Sequence, residues 1–206
     1  MATAERAELS ELLSTLAPDG WETGSLCRGW SVKDVANHVV SYDDLTVAGV
    51  ASRMVRGRLG VHGANAVGVA EGASVTAERV LEAYRRNPRP RGLTAVAGGR
   101  IAFLDGLIHH QDIRRALGRP RPIPAERLVQ GLEDAPAAFV LPARKLSAGL
   151  SFVATDVDWS HGSGPEVRGP AEAILMAIAG RVPALRDLSG PGVTPLSERA
   201  WSLQPA

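Results

Sequence analysis

Three side chains in this sequence have the types and the spacing of a divalent-cation site: His38, Asp105 and His109. Asp105 and His109 are four residues apart in a predicted helix, so they project from one face, one turn apart. His38 lies on the apolar face of another predicted helix, beside Val35 and Tyr42, where an imidazole must be hydrogen-bonded or bind something. Two imidazoles and one carboxylate leave coordination positions open, as catalytic metal sites do.

The same spacing is compatible with a site that binds no metal. His38 is then a hydrogen-bonded core residue, Asp105 is solvated, and His109 lies on a helix surface. Asp112 follows His109 by three residues. It is predicted either to accept a hydrogen bond from the second ring nitrogen of His109 or to pair with a neighbouring arginine.

The remaining histidines and the single cysteine are not expected to join this site. His110 points about 100° away from His109 around the helix. His62 falls in a glycine-rich segment and His161 in a predicted turn, so both are expected to be exposed. Cys27 precedes a helix with no adjacent base, which favours buried packing over a nucleophilic role.

Apolar periodicity predicts a four-helix bundle over residues 1–118. The predicted helices cover residues 4–16, 31–54, 74–87 and 100–117. Ser31 is predicted to cap the second helix, with Asp34 three residues later completing a capping box, and Ser74 to cap the third. Five glycines between residues 57 and 73 predict a loop there.

A short proline-rich segment, residues 119–124, predicts an extended linker. Beyond it, residues 125–206 are predicted to form a small α+β domain. Its predicted elements are a helix at 125–139, a strand at 150–159, a turn at 161–165, a return strand at 166–168 and a helix at 171–179. The predicted class is therefore mostly α, with a bundle followed by a small α+β domain.

Composition excludes several classes of protein. One cysteine among 206 residues permits neither an internal disulfide nor a cysteine-rich zinc or iron–sulfur site. A net charge of +1 argues against a nucleic-acid partner. The sequence shows no apolar stretch of the roughly 18–20 residues needed to cross a membrane, and no signal pattern at its start, so we expect a cytoplasmic protein.

Three stretches resemble one known family, in the order expected for it. They are WSVKDVANHV at 30–39, IHHQDIRRALG at 108–118, and a C-terminal set of DVDW at 156–159, GPEVRGP at 164–170 and AGR at 179–181. The sequence is similar here to the mycothiol-dependent maleylpyruvate isomerase family, part of the DinB/YfiT-like group of metal-binding four-helix bundles.

This resemblance implies a metal held by His38, Asp105 and His109. The family has glutamate where this sequence has Asp105, and aspartate reaches about an ångström less far. The helix must therefore sit closer, or a water must bridge, or the metal affinity must fall. The resemblance also implies an arginine, matched by Arg181, that binds a carboxylate of the substrate or of the thiol cofactor.

The implied cofactors are a divalent cation, Zn²⁺ by preference, and mycothiol as the thiol cosubstrate. The implied activity is addition of the thiolate to a small electrophilic molecule, as an isomerase or an S-transferase. Two alternatives stay open: a non-catalytic metal- or thiol-binding or stress-response protein, and a metal-dependent hydrolase. The expected partners are small molecules only, and the sequence does not determine the substrate or the oligomeric state.

Overall fold

The chain folds into two compact units, Met1–Arg121 and a second that begins at Pro122. The computed structural model describes residues 1–203, so the last three positions of the predicted second domain lie outside the described residues. The helices of the first unit are α1 (Ala2–Ser14), α2 (Pro18–Glu22), α3 (Val32–Ser41), α4 (Val47–Arg56), α5 (Val61–Glu71), α6 (Ala77–Arg86) and α7 (Arg100–Ala116).

Four of these helices form the predicted bundle. Helices α1 and α3 each pack against both α6 and α7. The apolar stripes seen in the sequence meet in the interior, where Leu9, Leu13, Val35 and Ile113 are each at most 1% exposed. The bundle prediction is therefore confirmed, and it brings the face of α3 that carries His38 against α7.

The start of α3 is fixed by the capping box that the sequence predicts. The Ser31 hydroxyl accepts a hydrogen bond from the Asp34 backbone N–H at 3.2 Å, and the Asp34 carboxylate accepts one from the Ser31 N–H at 3.0 Å. The prediction for α6 is wrong by two residues, because Thr76 rather than Ser74 is the N-cap. Thr76 accepts from the backbone N–H of Arg79 at 3.4 Å.

The segment between α3 and α6 differs from the prediction. The helix predicted to run to residue 54 ends at Ser41, and the predicted glycine loop contains α5. Its glycines allow close packing: a Cβ added to Gly57 would overlap the Ala64 backbone nitrogen, and one added to Gly63 would overlap the Gly57 carbonyl oxygen. The glycines that predicted a loop are therefore residues at which two helices come into close contact.

Two segments between the predicted helices of the first unit are themselves partly helical. The short helix α2 lies between the first two predicted helices and begins at Pro18. The segment before α7 contains the 3-10 turns Gly92–Ala95 and Ala97–Gly99.

The second unit is the predicted small α+β fold. Its elements are α8 (Ala125–Asp134), α9 (Ala143–Ser147), β1 (Ser151–Ala154), β2 (Ser160–Gly162), β3 (Glu166–Gly169), α10 (Ala171–Ile178) and α11 (Val193–Ser202). The sheet order is β2-β1-β3, with β1 antiparallel to β2 and parallel to β3.

This unit differs from the prediction in where elements end and in two additional helices. The strand predicted over 150–159 ends at Ala154, and β2 forms where a turn was predicted. The helix predicted over 125–139 ends at Asp134 and continues as a 3-10 turn. Helices α9 and α11 were not predicted. Among residues 1–203, the structure has no helix with the length and apolarity needed to cross a membrane.

Candidate metal centre

Helices α3 and α7 bring together the three residues that the sequence singles out. His38 projects from α3, and Asp105 and His109 project from successive turns of α7. We call these three residues the His–Asp–His cluster. The His38 side chain is 4% exposed, Asp105 is 32% exposed and His109 is 11% exposed, so the cluster is buried at one end and reachable from solvent at the other.

The distances within this cluster suit a shared cation. Asp105 Oδ1 lies 3.7 Å from His38 Nε2 and 3.5 Å from His109 Nε2. Both gaps exceed the roughly 2.7–3.2 Å of an ordinary N–H···O hydrogen bond. A tetrahedral ion with ligand bonds of about 2.0–2.1 Å separates adjacent ligand atoms by about 3.3 Å. Each imidazole nitrogen thus stands slightly farther from the Asp105 oxygen than an ion requires.

Although aspartate is shorter than glutamate, the Asp105 carboxylate still lies close to both imidazoles. Of the three outcomes expected for aspartate in place of glutamate, the geometry agrees with the first, in which the helices sit close enough for direct contact. Two imidazole nitrogens and one carboxylate oxygen form a donor set that divalent transition metals accept. The residues present therefore fit a divalent cation.

The other nitrogen of His109 faces a second carboxylate. His109 Nδ1 lies 2.9 Å from Asp112 Oδ2, and the Asp112 side chain is fully buried. The contact with His109 that was predicted as one option for Asp112 is therefore present in the structure. A proton on Nδ1, donated to Asp112, turns the lone pair of Nε2 toward Asp105 and His38, which is the tautomer that a metal ligand needs.

Cys27 lies beside this pair, which the sequence did not indicate. Its Sγ is 3.1 Å from Asp112 Oδ2 and 3.6 Å from His109 Nδ1. The loop that holds it is tied to α7 because the Leu26 N–H donates to the Asp112 carbonyl at 3.3 Å. Cys27 and His109 are 82 residues apart, so no local pattern could have revealed the contact.

Aromatic rings enclose the two imidazoles. The Trp30 ring lies 5.2 Å from the His38 ring and 6.4 Å from the His109 ring, measured between centroids. The Tyr42 ring lies 5.8 Å from the His38 ring and nearly perpendicular to it, and the Tyr42 hydroxyl donates to Asn65 at 2.7 Å. These rings limit the access of water to the buried end of the cluster.

Charge coupling in the metal-free cluster is strong. Burial raises the pKa of Asp105, but the neighbouring His109 and His38 outweigh burial and hold this pKa well below its usual range. Burial lowers the pKa of His109, but Asp105 above all, together with Cys27 and Asp112, raises it well above its usual value. Without a metal, the site therefore holds an imidazolium between carboxylates.

The other candidate residues lie elsewhere. His110 is fully buried and contacts Glu5, and His62 and His161 are exposed, as expected. Arg181 belongs to the second unit, shortly after α10, where it is half-buried and its guanidinium donates to the Ala179 carbonyl at 2.8 Å.

Comparison with known proteins agrees with this architecture. The family model for the mycothiol maleylpyruvate isomerase N-terminal domain matches residues 2–129. The chain belongs to this family. Membership supports an enzymatic role, because the family takes its name from a mycothiol-dependent isomerase.

Two solved structures of the mycothiol-dependent maleylpyruvate isomerase are similar to the chain. One, a histidine-to-alanine mutant, is 15% identical with a TM-score of 0.60, over 92% of this chain and 90% of that chain. The other is 15% identical with a TM-score of 0.52, over 87% and 86% of the two chains. At this identity the likeness establishes the fold. A search of curated proteins finds no match.

Proposed function

We propose that this member of the family is a metal-dependent enzyme that adds a low-molecular-weight thiol to a small electrophile. The thiol is mycothiol, and the reaction is an isomerisation or an S-transfer. The observation that carries the proposal is the approach of Asp105 Oδ1 to within 3.7 Å of His38 Nε2 and 3.5 Å of His109 Nε2. The family name supports the choice of thiol.

In this proposal each residue of the His–Asp–His cluster has a distinct task. His38 and His109 offer neutral nitrogen donors from two different helices, and Asp105 supplies the negative charge. A divalent cation held there, Zn²⁺ by preference, would stabilise a thiolate at neutral pH and so supply a nucleophile. Three protein ligands leave a position for the thiol sulfur.

The neighbours of the cluster hold it ready for this chemistry. Asp112 accepts a hydrogen bond from the His109 Nδ1–H and so fixes the orientation of that ring. Trp30 and Tyr42 pack against His38 and exclude water from the buried side. Electrostatic attraction between a cation and a thiolate is stronger where water is excluded.

Arg181 is our candidate for binding a carboxylate of the substrate or of the thiol. Its support is the resemblance of residues 179–181 to the family's C-terminal motif. A guanidinium suits this task because it offers paired donors to a carboxylate. Its hydrogen bond to the Ala179 carbonyl restricts the side chain in advance.

The test begins with the metal. Purified protein is expected to hold close to one divalent ion per chain, or to take one up when Zn²⁺ is added. His38→Ala should weaken Zn²⁺ binding by at least about tenfold, and His62→Ala, which removes an exposed histidine, should not. A content below about a tenth of an equivalent, unchanged by Zn²⁺, contradicts the metal site.

Activity then separates the three candidate functions. Maleylpyruvate and other small electrophiles are assayed with mycothiol, and glutathione serves as the control thiol. A rate that needs both metal and mycothiol supports the proposal. Ester or amide hydrolysis that needs the metal but no thiol indicates the hydrolase. Binding of metal and mycothiol without turnover indicates the non-catalytic protein.

A further inference from the structure

Three donor atoms meet on the side of the His109 ring that faces away from Asp105. They are Cys27 Sγ, His109 Nδ1 and Asp112 Oδ2, and we call these residues the Cys–His–Asp cluster. All three atoms lie within 4.8 Å of one another. We infer that this cluster is a second cation site, which takes a thiophilic divalent ion such as Cd²⁺ or Zn²⁺ and competes with the His–Asp–His cluster for His109.

The distances already approximate a coordination polyhedron. Sγ–Nδ1 is 3.6 Å, Sγ–Oδ2 is 3.1 Å and Nδ1–Oδ2 is 2.9 Å. Ideal tetrahedral zinc places sulfur about 3.6 Å from a nitrogen or oxygen ligand, and nitrogen about 3.3 Å from oxygen. The Sγ–Nδ1 distance matches the ideal value. The Sγ–Oδ2 and Nδ1–Oδ2 distances must each increase by about half an ångström or less.

The surroundings hold these donors in place and leave them reachable. Asp112 is fully buried and lies on the same helix as His109, and the Leu26–Asp112 backbone contact holds the Cys27 loop against α7. Cys27 itself is only half-buried, so an ion can approach from its side. When the ion binds, the Cys27 thiol proton and the His109 Nδ1 proton pass to solvent.

Competition follows from the chemistry of one imidazole ring. A neutral ring has one lone pair, so a ligand bond from Nδ1 requires the proton on Nε2, where Asp105 faces it at 3.5 Å. His109 then no longer serves the His–Asp–His cluster, which keeps only His38 and Asp105. A thiophilic ion in the second site therefore empties the first. This consequence rests on the proposed function, whereas the second site itself does not.

The chain offers a direct probe, because its one cysteine makes any thiolate-to-metal absorption specific to Cys27. Metal-free full-length protein is titrated with Cd²⁺, and the ultraviolet charge-transfer band and the number of bound ions are recorded. We expect the band in wild type and in His38→Ala, with at most one ion per chain in each. We expect no band in Cys27→Ser, which still binds one ion.

His109→Ala tests whether Cd²⁺ is bound by the whole Cys–His–Asp cluster or by Cys27 alone. We expect the Cd²⁺ affinity measured by the band to fall at least about tenfold in this variant. His62→Ala is the matched control, and circular dichroism checks the fold of each variant. The absence of a band in both wild type and His38→Ala, or an unchanged band in His109→Ala, overturns the second site.

The competition has its own readout. Two ions per chain in wild type would show that both sites fill together, and would overturn the competition. Because His38→Ala removes only the first site and Cys27→Ser only the second, failure of the second site remains distinguishable from failure of the proposed function.

Discussion

Two histidines that follow one another on α7 lie in opposite surroundings. His110 contacts Glu5 Oε1 through Nδ1 at 2.8 Å and accepts from Arg114 Nε through Nε2, also at 2.8 Å. Burial lowers the pKa of this ring, and the hydrogen bond to Glu5 offsets burial only in part. His110 is therefore a neutral histidine with a short hydrogen bond at each nitrogen.

His109 uses its nitrogens differently. Nδ1 makes a short contact with Asp112, whereas Nε2 faces Asp105 at 3.5 Å. Burial alone therefore does not identify a metal ligand, because the more buried of the two rings has a protein partner at each nitrogen. At the His–Asp–His cluster, the distinguishing feature is a ring nitrogen, His109 Nε2, that faces a carboxylate beyond hydrogen-bond length.

The largest expected effect tests whether His109 is a metal ligand. His109→Ala removes the residue shared by both candidate sites, so metal affinity should fall by more than about 100-fold, beyond the effect of losing a supporting contact. Isothermal titration with Zn²⁺ measures it, with His62→Ala as the control. Retention of wild-type affinity by His109→Ala would contradict the assignment.

The next effect tests whether His110 stabilises the fold without binding metal. His110→Ala leaves the buried Glu5 with one partner fewer, so the free energy of unfolding should fall by about 2–3 kcal/mol. Urea denaturation measures the change. Zinc stoichiometry should stay at the wild-type value. If His110→Ala loses metal while its stability is unchanged, the two histidines have been assigned the wrong way round.

A smaller effect concerns pH. The metal-free His109 has a raised pKa and is protonated at neutral pH, and a bound metal requires its neutral form. Metal binding therefore releases a proton. Below that raised pKa, affinity should fall by about tenfold for each pH unit lost. Titration in buffers of different ionisation enthalpy counts the protons, and uptake of a proton on binding is the contrary result.

The smallest effect separates stability from ligation. Ser31→Ala removes the side-chain cap of α3, the helix that carries His38, and should cost about 1 kcal/mol of stability. Metal affinity measured at 25 °C should be unchanged, because the folded protein still dominates. A loss of affinity in this variant would mean that the cluster responds to general destabilisation, and would weaken the interpretation of His109→Ala.

The sequence predicted best those features whose causes are local. The Ser31 cap depends on residues three apart, and the Asp105–His109 pair depends on one helical turn. The position of His38 opposite them followed from its place on the apolar face of a helix. Each inference used a period that any α-helix must obey.

It predicted worst where the cause is a distant contact. The glycine-rich segment that contains Gly57 and Gly63 predicted a loop. In the structure, the absence of side chains at these two positions lets α4 and α5 approach each other. Cys27 showed no base in its own segment, because His109 and Asp112 reach it from α7. The contact of His110 with Glu5 was equally hidden, since Glu5 is 105 residues away.

The glycines of the α4–α5 pair also affect local unfolding of the first unit. Gly49, Gly63 and Gly68 lie inside these helices, and each costs about 1 kcal/mol of helix stability relative to alanine. Arg58 and Leu59, at the turn between them, adopt the left-handed backbone region with φ of 58° and 62°. This hairpin should therefore open before α7, and its amide protons should exchange sooner. Since Asn65 on α5 holds the hydroxyl of Tyr42, each such opening loosens the ring beside His38 and offers small molecules a transient way in.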